Sequence, residues 1–89
     1  MDEVKQAIAR GIPVGQAIRA ALLARGLTVK ALAEQNGLSR PTLTDVVNSV
    51  RKPSPAQLKA LQKALGGKRE EWLELLWLGG RPDHMAKAS

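Results

Sequence analysis

The chain has no cysteine, no phenylalanine and no tyrosine, and its only aromatics are Trp72 and Trp77. Without thiols, disulfide frameworks, thiolate metal sites and cysteine nucleophiles are excluded together. His84 is the single histidine, so no histidine pair can hold a metal ion, and there is no Gly-rich phosphate loop. Ser39, Ser49, Ser54 and Ser89 have no neighbouring base motif, which leaves nucleophilic catalysis unsupported. An enzyme is therefore not expected, nor a catalytic residue, metal or cofactor. No apolar run approaches the ~20 residues that span a bilayer. The opening MDEVKQ is acidic where a signal peptide is basic. A soluble, cytoplasmic, nucleoid-associated protein with no membrane partner is expected.

What is present points to helices. Leu and Ala dominate the apolar content and the β-branched residues are scattered, which favours an all-α fold. At 89 residues the chain suits one domain, expected over residues 1–80, with a disordered tail at 81–89. The formal net charge is +6, and it is unevenly placed. Residues 30–69 hold Lys30, Arg40, Arg51, Lys52, Lys59, Lys63, Lys68 and Arg69 against Glu34 and Asp45, while the charges of the flanks cancel. A localised basic segment predicts an anionic partner.

Periodicity and punctuation mark out about five short helices preceded by a short N-terminal one. Val4, Ala7 and Ile8 give an amphipathic turn that Gly11-Ile12-Pro13 breaks. Val14, Ala17, Ile18, Ala21 and Leu22 form one stripe that ends at Gly26. Thr28 offers an N-cap to a segment whose Val29, Leu32, Ala33 and Asn36 share a face, and Gly37 stops it. Ser39 is a second N-cap, Pro41 suits a first turn, and Leu43, Val46, Val47 and Val50 turn inward along a helix over residues 39–49. Ser54-Pro55 starts another helix, with Leu58, Leu61 and Leu65 inward. A last helix is expected over 69–78, with Glu70 and Glu71 complementing its dipole.

At Thr28–Asn48 the sequence TVKALAEQNGLSRPTLTDVVN resembles the helix-turn-helix of the lambda-repressor-like, or XRE-type, regulators. Arg51–Gly66, RKPSPAQLKALQKALG, is similar to that family's following loop and helix, so the likeness covers roughly residues 14–78. The pattern has a physical basis. Ala33 is small enough for two helices to cross steeply, Gly37 can supply the positive φ of the turn, and Leu38, Leu43 and Val46 fill the corner. The resemblance implies a transcriptional regulator of double-stranded DNA, in the usual case a repressor, with residues 39–49 as recognition helix in the major groove.

The face of that helix opposite the apolar stripe presents Arg40, Pro41, Thr44, Asp45 and Asn48 as base contacts. Arg40 can donate two hydrogen bonds to guanine O6 and N7, or clamp a phosphate. Thr44 can meet a thymine methyl, and Asn48 a base edge or the backbone. Asp45 either accepts from a cytosine amino group or stands as a solvated acid at the rim. Thr28, Lys30, Ser39, Arg51 and Lys52 are the expected phosphate contacts. Lys59 and Lys63 extend that track or are simply solvated. Val29 departs from the family, which usually has a polar residue at the start of the first motif helix.

Trp72 and Trp77 are about 140° apart around a helix, so they cannot both face one core. Trp72 suits the interior, which leaves Leu73 and Trp77 as a second apolar stripe and a candidate homodimer surface. The competing expectation is a phage or toxin-antitoxin type interaction module, whose last helix grips a partner protein.

Overall fold

The computed structural model describes the backbone of residues 1–78 and the side chains of residues 1–76. Six α-helices follow one another: α1 Asp2–Ala9, α2 Val14–Ala24, α3 Val29–Gln35, α4 Arg40–Val47, α5 Pro55–Leu65 and α6 Arg69–Leu73. No strand occurs among the described residues. The expected tail at 81–89 and the side chain of Trp77 lie outside the described residues.

Local chemistry explains where the helices start. Thr28 Oγ1 accepts the Ala31 N–H at 3.0 Å and Ser39 Oγ accepts the Thr42 N–H at 3.4 Å. Ser54 and Gln57 close a reciprocal pair, Ser54 N–H to Gln57 Oε1 at 2.7 Å and Gln57 N–H to Ser54 Oγ at 3.2 Å. Each of these contacts satisfies a backbone donor that the first turn leaves without an intrahelical partner.

The ends share one device. After α1, α2 and α3, the residue two beyond the last helical one takes a positive φ, and the next N–H reaches back five residues. Gly11, Gly26 and Gly37 hold these left-handed positions. The helix α4 ends in the same way, with Ser49 N–H to Val46 O at 3.0 Å and Val50 N–H to Asp45 O at 2.8 Å. There the left-handed residue is Ser49, at φ +62°.

Several expectations are corrected here. The recognition helix stops at Val47 rather than 49, because the Ser49 turn reverses the chain. Val50, expected inward, is thereby thrown outward and is 69 % exposed. Asn36, placed on the buried face of α3, is exposed beyond the helix end, where its Nδ2 donates to Leu32 O. The last helical run does cover 69–78 but changes type within it: α6 ends at Leu73 and continues directly as a π-helical turn, Glu74–Leu78. Leu73 is half-buried, packed in part against the core and in part open to solvent.

The core is aliphatic and built around Ile18, Leu22, Leu43, Val46, Leu61, Trp72 and Leu76, all fully buried. Trp72 fills the centre while its Nε1 donates to Gly66 O at 2.8 Å, so its one polar atom is satisfied. The first helix is part of this core. Met1, Val4 and Ala7 are buried, α1 packs on α2, and its outer face is tied down by the ion pairs Glu3–Arg25, at 2.9 Å, and Lys5–Glu71.

Candidate nucleic-acid interface

The helices α3 and α4 pack directly on one another, and Leu32, Ala33, Leu43 and Val46 are buried. Ala33 is 1 % exposed, so its methyl marks the close approach of two short helices. With Leu43, Val46 and Val47 buried, Arg40 and Pro41 on α4 and Asn48 just past its end are exposed, and Thr44 and Asp45 half-exposed. The residues expected to read bases therefore share a solvent-facing surface.

A concavity of about 410 Å³ lies between α2 and the starts of α3 and α4. It gathers Thr28, Lys30, Arg40 and Thr44, and adds Arg19, which sequence reasoning did not assign. Arg19 also approaches Asn48. A Cβ built on Gly15 would stand 3.0 Å from Arg19 Nη1 and 2.9 Å from Asn48 Oδ1, so both side chains converge over that glycine. The available signal was positional. Arg19 is the polar residue immediately after Ile18, on the face of α2 away from its apolar stripe, and it lies outside the basic segment 30–69.

The ion pairs sort the surface by charge. Arg25 is engaged by Glu3 and donates to Ala21 O at 3.2 Å, while Lys5 is held by Glu71. Those pairs lie where α1 meets α2 and α6. A backbone hydrogen bond and then Arg25 lower the Glu3 pKa, Lys5 lowers that of Glu71, and Glu71 raises that of Lys5. Around α4, by contrast, Arg19, Lys30, Arg40 and Lys52 form no ion pair among the described residues. The exception is Arg51, whose Nη2 lies 3.6 Å from Asp45 Oδ2. One expected phosphate contact is thus beside the one acid of the recognition face. Lys52 is exposed next to it, and Lys59 and Lys63 are exposed on α5.

The hydroxyls of Thr28 and Ser39 serve first as helix caps, since each accepts a backbone N–H. Their O–H hydrogens remain available to an acceptor. Among the described residues no cluster of three or more His, Cys, Asp or Glu could hold a metal ion, and no helix is long and apolar enough to cross a membrane.

No curated protein and no solved structure gives a significant match. A family model described as Helix-turn-helix matches residues 18–73, from the middle of α2 to the end of α6. This span contains α3, α4 and the expected DNA contacts, and the family it describes is one of DNA-binding transcription regulators. The chain belongs to the lambda-repressor-like helix-turn-helix family.

Proposed function

We propose that the protein is a sequence-specific regulator of transcription, in the usual case a repressor, which inserts α4 into the major groove of double-stranded DNA. The observation that carries this reading is the gathering of Arg19, Lys30, Arg40 and Thr44 around one concavity beside the exposed face of α4, with Glu3 and Glu71 paired elsewhere. Arg40 at the first position of α4 reads a guanine edge, and Thr44 and Asn48 contact neighbouring base edges or sugar-phosphate. Pro41 packs against the groove wall. Thr28, Lys30, Ser39, Arg51 and Lys52 face phosphates, with Arg19 beside them and Arg51 held back in part by Asp45. Two subunits joined through the last helix, at Leu73 and Trp77, would bind half-sites one helical turn apart.

The test is selection of bound sites from a random duplex pool, followed by titration of the selected operator and a scrambled duplex across a salt series. A recurrent motif and salt-dependent affinity are expected. No enriched motif, or no binding at low salt, would refute the reading and leave the last helix as a partner-binding surface.

A further inference from the structure

A second groove, about 490 Å³, lies beside α4 and is lined by the end of α1, the α1–α2 turn and the start of α2. Its apolar wall is made by Ile8, Ile12 and Val14, and its polar wall by Arg19, Asn48 and Ser49. Among the described residues, Arg19 is its only charged one and no carboxylate lines it. Its turn and the end of α1 precede the segment shared with the family.

Three features of this groove need an acceptor. The 11-residue helix α2 begins there, and its N-cap, Pro13, supplies no side-chain cap. The first intrahelical bond is Ala17 N–H to Pro13 O, so the amides of Val14, Gly15 and Gln16 have no intrahelical partner. Ser49 is 9 % exposed, and its hydroxyl has no hydrogen-bond partner although it is buried. Arg19 Nη1 stands at the same helix end, with Asn48 Oδ1 and Val47 O close by. A guanidinium has five N–H donors, so two such neighbours leave it able to bind an anion.

We propose that this groove binds a small carboxylate with an apolar body, and that its occupant competes with DNA. The carboxylate accepts from the α2 amides, the Ser49 hydroxyl and Arg19, where helix start and cation both favour negative charge. The apolar body covers Ile8 and Ile12. A bare, strongly hydrated anion gains nothing from those side chains, whereas an aliphatic acid does. Because Arg19 and Asn48 belong to both the groove and the DNA face, an occupied groove withholds them from the duplex. This second effect rests on the proposed function; the binding itself does not.

The probe is sodium hexanoate, titrated into the full chain at constant ionic strength and followed by amide nuclear magnetic resonance, with inorganic phosphate as the comparison. Hexanoate should give saturable shifts centred on Gly15, Gln16 and Ser49, which phosphate should not reproduce. Arg19→Gln should weaken binding by about tenfold. Ser49→Gly, which keeps the left-handed turn and deletes the hydroxyl, should weaken it several-fold while the fold persists. Equal shifts from phosphate, shifts centred on the start of α5, or unchanged affinity in both variants would overturn the site. In a separate duplex titration, hexanoate should weaken operator binding by wild type but not by Ile12→Asn, which alters only the apolar wall. An equal response from both proteins overturns the competition. Hexanoate binding in a protein that takes no duplex at all would refute the proposed function while supporting the site.

Discussion

Ser49 carries two costs at one position. It occupies a backbone region that glycine adopts far more readily, and its buried hydroxyl is unpaired. Ser49→Gly removes both, offset partly by the entropy glycine loses on folding. The variant should be more stable by about 1 kcal/mol, read as a rise in urea midpoint without a change in slope. A lower midpoint would show that the hydroxyl has a partner in solution. Arg40 and Lys52 divide specificity from affinity in another way. Arg40→Ala should cost about 1–3 kcal/mol on a selected operator and relax preference at one base pair, with much less effect on a scrambled duplex. Lys52→Ala should weaken both duplexes alike and reduce the salt slope by about one unit. Equal losses on both duplexes for Arg40→Ala would make that residue a phosphate clamp. Base reading would then pass to Thr44, Asp45 and Asn48.

At the scale of elements, α1 is fastened by charge as well as by Met1, Val4 and Ala7. The carboxyl pKa values of Glu3 and Glu71 are lowered, so the stability they contribute is present above the ordinary carboxylate value of 4.5 and is lost as pH falls through the lower folded values. Lys5 is shifted upward from 10.5, so its contribution is full at neutral pH and fades only in strong alkali. Amide protection factors in α1 should therefore fall below about pH 4.5, before those of the α3–α4 pair. Synchronous loss of protection in all helices would show that these exposed pairs contribute nothing selective, as is common at surfaces. Trp72 fastens α6 to the end of α5. Trp72→Phe keeps a ring in the core but leaves Gly66 O without its donor, and should cost about 1–3 kcal/mol of unfolding free energy.

At the scale of the molecule, charge is segregated: Glu3 and Glu71 are paired at α1 and α6, while around α4 only Arg51 has an acid partner among the described residues. The logarithm of DNA affinity should fall with the logarithm of salt at roughly −0.9 per neutralised phosphate. Asp45→Asn should steepen that slope by about one unit, because Arg51 then has no competing carboxylate. An unchanged slope would mean that Arg51 already leaves Asp45 when DNA binds. Assembly is read separately. Under the proposed dimer, Trp77→Ala should shift sedimentation toward monomer with helicity retained, and a wild type that is monomeric at high concentration refutes the dimer.

Much of this was legible along the chain because its causes are local. Thr28, Ser39 and Ser54 announce helix starts through a hydroxyl three residues from a free N–H, and Gly11, Gly26 and Gly37 announce ends through a backbone region they enter easily. The stripes at Ala17–Leu22, Leu43–Val47 and Leu58–Leu65 follow from a period of 3.6 residues and correctly chose the buried faces. The helix-turn-helix pattern therefore placed α3, α4 and the exposed side chains between them. What the chain could not announce depends on residues far apart in sequence. Ser49 holds a turn that local preference would give to glycine, so the end of α4 and the outward direction of Val50 were not legible from residue type. Arg19 meets Arg40 and Asn48 only once α2 lies across the pair, and Arg51 meets Asp45 only after the chain reverses. Helix propensity, capping and hydrophobic period act over a few residues, and so they determined the elements and their inward faces. Which charges share a surface, and where a groove opens, are sums over distant segments that only the folded core brings together.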